Sequence, residues 1–542
     1  MTSTTRRTQS RPMIIGTTFA FIAMLAACED GSKQFDSGQA AGRTASTSAA
    51  SAAAAPGLAP MPRPQAVAES RESYQAIDAN PVRLAAEHPV STFSVDVDTG
   101  SYSNVRRFLE SGQLPPKDAV RVEEMINYFD YGYARPTDRE VPFSVTTELT
   151  ATPWNPDSVL LQVGIKGYDI ERTERPPANL VFLVDVSGSM APDNKLPLVV
   201  RSLKMLVDQL TATDRISLVV YAGAAGTVLE PTPGSEKAKI RAALDRLSAG
   251  GSTAGAAGLE LAYQLAEQAR IEGGVNRVLL ATDGDFNVGV AGVDALRELV
   301  TAKRRSGITL TTLGFGVGNY QEAQMEQMAD VGNGNYAYID GLSEARKVLV
   351  NEMSSTLFTI AQDVKVQVEF NPALVAEYRL VGYENRLLQR EDFNNDRVDA
   401  GDIGAGHTVT ALYEIVPAGG RTSVDPLRYG PAGTPRPAAA TGEFAFLKLR
   451  YKLPGEDRSR LLEMPLAAGR LAMAKSAQPS ADLRFAAAVA AFGQILRGGE
   501  HTGGFGYDDV LDLARGARGD DPFGYRAGFV TLVDLAKGVE RR

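Results

Sequence analysis

Leu183-Val184-Asp185-Val186-Ser187-Gly188-Ser189-Met190 decides the fold of this 542-residue chain. An apolar run that begins at Leu180 stops at Asp-x-Ser-x-Ser, so a buried strand delivers one carboxylate and two hydroxyls at its carboxyl end. In an open α/β sheet, that rim is where ligands bind. An all-oxygen donor set suits Mg²⁺ or Mn²⁺ better than zinc.

Outward from this motif, residues 179–357 alternate short, nearly continuous apolar runs (180–185, 216–221, 278–282, 308–315) with helical periods. Leu196, Val199, Val200, Leu203, Val207 and Leu210 make one apolar stripe directly after the motif. The pattern predicts a doubly wound, Rossmann-like α/β domain with a mostly parallel central sheet and helices on both faces.

Residues 140–175 before this domain and 360–455 after it alternate apolar and polar like half-solvated strands. They predict one β-sandwich into which the α/β domain is inserted, with a separate C-terminal β domain as the competing arrangement. Residues 91–135 form a compact N-terminal segment with a strand at 93–98 and helices at 105–112 and 120–129. A helical region at 478–542 closes the chain, with apolar faces at 483–496 and 525–538.

At the amino end, Arg6, Arg7 and Arg11 precede an apolar stretch at 13–27 that is short for a bilayer span. It ends in Leu25-Ala26-Ala27-Cys28, which resembles a bacterial lipobox. The resemblance implies a signal peptide at 1–27 and lipid anchoring through Cys28, the single cysteine of the chain. Residues 28–75, rich in Ala, Ser, Gly and Pro, read as a disordered tether. The expected location is the cell envelope, facing the periplasm or the outer surface. A net charge of −9 with dispersed Lys and Arg argues against nucleic acid as a partner.

Alone, Asp185-x-Ser187-x-Ser189 is also a plausible turn, since Asp and Ser favour turns. Two further elements add to it. Gly250-Gly251-Ser252-Thr253 sits ahead of a helical run at 254–269, and the strand at 278–282 ends at Asp283-Gly284. Three loops of one sheet edge then supply oxygen donors. This set resembles the metal-ion-dependent adhesion site of a von Willebrand factor type A domain, mapping onto Asp185, Ser187, Ser189, Thr253 and Asp283. The resemblance implies Mg²⁺ (or Mn²⁺) held by these five residues and a coordination position filled by a Glu or Asp of a protein partner. It also implies that Met190, Asn194 and residues 285–287 border that partner, and that a helix at about 343–357 controls affinity. Residues 93–102 and 121–129, with Glu384-Asn385-Arg386 and Asp392-Phe393-Asn394-Asn395-Asp396, resemble YfbK-like von Willebrand factor A lipoproteins.

Rival chemistries are weaker. Asp98-Thr99-Gly100-Ser101 has the letters of an aspartic-protease loop, which needs a second such loop in the chain or in a symmetry mate; Asp36-Ser37-Gly38 has the letters but lies in the tether, without flanking apolar strands. In the run from Asp392 to Asp399, Arg397 and Ile403 stand where a calcium loop needs Gly and Glu. His88, His407 and His501 have no ligand spacing, and neither a Gly-x-Ser-x-Gly elbow nor a phosphate-binding Gly-x-x-x-x-Gly-Lys-Ser/Thr loop occurs. The chain is therefore expected not to be an enzyme but a metal-dependent protein binder. A metal-stabilised envelope scaffold, or a hydrolase using the C-terminal region, is the alternative.

Overall fold

Strand Ala178–Asp185 is buried at every position because it lies in the middle of a sheet covered on both faces. Its side chains alternate between two cores, as a period of two requires. Leu180, Phe182 and Val184 join the core beneath helix Leu196–Gln209, while Val181 and Leu183 meet Leu259, Tyr263 and Leu296 on the other side. The computed structural model describes residues 72–137, 139–171, 173–252, 255–284, 292–318, 320–425 and 442–541.

The central sheet has six strands in the order Tyr336–Ile339, Thr309–Phe315, Val275–Thr282, Ala178–Asp185, Arg215–Tyr221 and Ala225–Pro233. All neighbours pair in parallel except the last, which runs antiparallel to Arg215–Tyr221. That edge strand is absent from the sequence reading because its half-exposed residues never form an apolar run. Helices Gly255–Gln268, Gly292–Arg305 and Glu322–Val331 complete the doubly wound domain.

The flanking strands form two antiparallel sheets, and each sheet mixes chain from before and after the α/β domain. One runs Arg83–Leu84, Val375–Val381, Thr408–Pro417, Asn155–Gly167 and Phe143–Thr152. In the other, Thr359–Phe370 pairs with Val90–Ser94, Ile403–Gly404 and Glu443–Lys452, and Arg460–Ala467 follows at the edge. The sheets face each other through Phe370 on Tyr378, with ring centroids 4.3 Å apart, and Phe143 on Tyr451, at 4.8 Å. The sandwich therefore spans the insertion, and a separate C-terminal β domain is ruled out. The hairpin Phe143–Gly167 would be marginal without the later strands to complete its sheet.

Helices Gly100–Glu110 and Val122–Asn127 of the N-terminal segment pack into the C-terminal helical region. Phe129 meets Phe485 and Phe529 edge to face, and a Cβ on Gly493 would stand 3.2 Å from Val122. The strand expected at 93–98 is Val90–Ser94, and beyond it Asp96 and Asp98 turn into ion pairs. Helix Ala481–Leu496 is followed by Tyr507–Arg515, which the sequence reading passed over, and by Tyr525–Glu540. The tether expected at 28–75 does not reach residue 75. Glu72 binds Arg107 at 2.9 Å and Ser73 bridges to Gln321, so residues 72–75 are docked rather than disordered.

Sandwich and helices are joined by a buried ion pair. Arg379 donates to Glu414 and to Gln494 of helix Ala481–Leu496, both at 2.9 Å, while Trp154, Asn155 and Ser158 also donate to Glu414. Glu414→Ala strands the guanidinium, and the expected loss is about 3–5 kcal/mol, read as a lowered urea midpoint.

Candidate metal centre

The four described donors converge at the carboxyl ends of two adjacent central strands. Asp185 ends Ala178–Asp185 and is fully buried; its Oδ1 accepts from the Ser187 amide at 2.8 Å and its Oδ2 from Thr282 Oγ1 at 3.1 Å. Burial raises the Asp185 pKa; the Ser187 bonds oppose the rise and the nearby Asp283 charge adds to it. Two like charges at one rim call for a cation.

Ser187 and Ser189 present their hydroxyl oxygens 3.1 Å apart. The two hydroxyls are hydrogen-bonded to each other, and their spacing is compatible with the about 3.0 Å between adjacent ligand oxygens of octahedral Mg²⁺. The Gly250-Gly251 loop is laced to this motif, with the Gly188 amide donating to Gly251 O at 3.0 Å and the Gly250 amide to Val186 O at 2.7 Å. Thr253, at the end of that loop, lies outside the described residues, as do residues 285–287 and Cys28.

Asp283 follows Val275–Thr282 and is 1% exposed. The next residue, Gly284, has φ +93°, and a Cβ there would stand 2.6 Å from the Gln321 amide nitrogen, so the turn requires glycine. Met190, expected at the partner's edge, is fully buried in the core and cannot touch a partner. Ala191, Pro192 and Asp193 are exposed instead, with Asn194 half-buried beside them.

Lys195 was missed by sequence reasoning. Its ammonium lies 2.7 Å from Asp283 Oδ2. The available signal was a lysine immediately before a helix, where the positive end of the helix dipole disfavours a cation unless an acid holds it.

The rival sites dissolve. Asp98 accepts from the Tyr336 amide at 2.9 Å and faces Arg386, and Thr99 caps helix Gly100–Glu110, so the protease-like letters mark a buried junction. Asp392 bonds the Gln389 amide, Asp396 pairs with Arg450 and Asp399 with Arg304, so these carboxylates serve different partners. His407 is held neutral, its pKa pushed down to about 3 by burial and by Lys347, Lys166 and Arg277.

Among the described residues, one further carboxylate group stands together: Asp96, Glu124 and Glu326 bring oxygens within 4.8 Å of one another. Four of their six oxygens accept hydrogen bonds from Arg386, Asn385 or the amides of Ser101 and Asp98, while Glu124 Oε1 and Glu326 Oε2 face the Arg121 guanidinium at 3.3 and 3.0 Å as ion pairs without hydrogen-bond geometry. That makes it an ion-pair network between the N-terminal segment and the α/β domain.

The helix expected to control affinity is divided into Leu342–Arg346, a π-helical turn Lys347–Asn351 and Met353–Leu357. Residues outside the α/β domain hold it. Arg106 bonds Glu344 at 2.7 Å, Tyr128 donates to Glu344 at 2.8 Å, and Asn351 donates to Tyr525 at 2.9 Å.

Residues 179–351 match the von Willebrand factor type A domain model, 68–162 the von Willebrand factor model, and 355–539 the C-terminal model of the uncharacterized protein YfbK. YfbK of Escherichia coli K12 is 52% identical over 472 residues, 86% of this chain and 81% of that protein. The chain belongs to the YfbK family. The uncharacterized protein sll0103 of Synechocystis is 33% identical over 36% of this chain and 44% of its own. A von Willebrand factor type A protein from Catenulispora acidiphila aligns with 72% of this chain and 89% of its own at 15% identity and TM-score 0.40. Domains of this type commonly bind protein partners through a divalent metal at the motif described above. Among the described residues, no helix is long and apolar enough to cross a membrane.

Around the ion-pair network, burial pushes the Glu322 pKa up to about 8 against the pull of Arg121, with Glu326 adding to the rise. Burial, Glu384 and Asp96 push Glu123 up to about 7. An acid whose folded pKa is raised takes up a proton on folding, so its stabilisation is complete below about pH 4 and is lost as the pH climbs through the folded value. Neutral His407 acts oppositely, but only between pH 3 and its unfolded value near 6.5. Between pH 6.5 and 8 stability should therefore fall, by up to about 1 kcal/mol per pH unit for each carboxyl. Glu322→Gln should flatten that slope in thermal melts.

Proposed function

We propose that this chain is a cell-envelope lipoprotein, not an enzyme, that binds a protein partner through a Mg²⁺ (or Mn²⁺) ion held by Asp185, Ser187, Ser189, Thr253 and Asp283. The observation that carries the reading is the pair of buried carboxylates, Asp185 and Asp283, at the carboxyl ends of two adjacent central strands, with the Ser187 and Ser189 hydroxyls in the loop that follows Asp185. Two hydroxyls, a threonine and two carboxylates leave Mg²⁺ short of a sixth strong ligand unless water or an outside oxygen supplies it. An Asp or Glu of the partner is the natural donor, because the ion's charge strengthens an anionic bond. Residues 191–193, just after the serine motif in the chain, are exposed.

Anchoring through Cys28 and the chain that follows it would hold the site outside the inner membrane. Replacing Cys28 with Ser should abolish incorporation of labelled palmitate in growing cells, and undiminished labelling would remove the anchor.

The binding reading is tested by pull-down from envelope extract in Mg²⁺ or EDTA, with wild type and Asp185→Ala side by side. A partner retained only by wild type in Mg²⁺ is expected, at least about tenfold over either control, in line with loss of a charge-assisted bond. An identical partner set in all conditions, with Asp185→Ala merely lowering the melting temperature, would leave the metal a scaffolding role.

A further inference from the structure

The metal centre already contains a cation of its own. Lys195 Nζ lies 2.7 Å from Asp283 Oδ2, and the two side chains are 7% and 0% exposed. The lysine stem is threaded under the loop after Thr309–Phe315: a Cβ on Gly316 would stand 2.4 Å from both Cγ and Cε of Lys195, and Gly316 has φ +78°. Lys195 also stands at the N-cap position of Leu196–Gln209, where its side chain makes no capping bond. A buried ammonium at the positive end of a helix is disfavoured by desolvation and by the dipole, and the contact with Asp283 opposes both.

We propose that Lys195 is a built-in counter-ion of the metal centre, which lowers its affinity for a divalent cation and biases the loaded centre toward an anionic ligand. The proposal rests on the reading that Asp185 and Asp283 help to hold a divalent ion. Two carboxylates and a dication sum to zero. The lysine adds one positive charge beside the dication, which favours a carboxylate arriving from outside. Without the metal, the same ammonium screens Asp283 from Asp185, so the empty rim is not left with two uncompensated charges. Repulsion between ammonium and dication, both against Asp283, makes the metal bind less tightly than the donor set alone would dictate.

The test uses the full chain, comparing wild type with Lys195→Met, which keeps the stem and removes the charge, and Lys195→Arg, which keeps the charge. Mn²⁺ affinity is read by electron paramagnetic resonance, and acetate binding to the Mn²⁺-loaded protein by water-proton relaxation. Lys195→Met should bind Mn²⁺ at least about tenfold more tightly and acetate at least about threefold more weakly, with Lys195→Arg within about threefold of wild type in both. A loosened loop would weaken both, so the opposed shifts separate a charge effect from a structural one. Unchanged or weaker Mn²⁺ binding by folded Lys195→Met overturns the proposal. Should circular dichroism find that variant unfolded, Lys195→Gln takes its place with the same thresholds. Unfolding of both makes the lysine a stability residue and also overturns it. Wild-type binding that Asp185→Ala abolishes and Lys195→Met leaves unchanged removes this proposal alone, whereas no Mn²⁺ binding by any variant removes the metal reading beneath it.

Discussion

Holding a carboxylate fully buried at the end of a strand covered on both faces is the constraint on which the rest of the structure depends. Asp185 is kept there by the Ser187 amide and the Thr282 hydroxyl, and its neighbour Asp283 by Lys195. Each of these partners comes from a different turn or strand end. The sheet must therefore be in register, and both cores packed, before the rim can exist.

The insertion into the sandwich ties that rim to the rest of the chain. The polypeptide enters the α/β domain from Asn155–Gly167 in one sheet and leaves it into Thr359–Phe370 in the other. The two exits are close, since a Cβ on Gly167 would stand 2.8 Å from Ile360 Cδ1. The last helix of the domain is thus held at its carboxyl end by the sandwich. Along its length it is held by Arg106, Tyr128 and Tyr525 of the terminal segments. Any displacement of it breaks the Arg106–Glu344 ion pair and the bonds from Tyr128 and to Tyr525, so this helix and the terminal segments move together or not at all. The network around Arg121 and Arg386 joins the N-terminal segment to helix Glu322–Val331 in the same way.

Much of this was legible in the residues. Apolar runs at 180–185, 216–221, 278–282 and 308–315 cannot alternate with helical periods without burying both faces of a sheet, so the doubly wound domain followed from pattern alone. Asp185 and Asp283 were visible because each ends such a run. The strand Ala225–Pro233 was not, because an edge strand half in water has no apolar run to show. Met190 misled for the opposite reason: adjacency to a site residue says nothing of direction, and its side chain turns into the core.

By itself, then, the sequence determined most elements of the α/β domain and pointed to its candidate oxygen donors, since periodicity and residue chemistry are local properties. Only the tertiary structure decided which strands share a sheet across the inserted domain, and that Asp96 and Asp98 belong to an ion-pair network instead of a strand. It alone placed the Lys195 ammonium against Asp283, 88 residues away in the chain. Pairings of that kind are set by the low tolerance of a packed interior for uncompensated charge, which depends on what is brought close in space and leaves no period in the sequence.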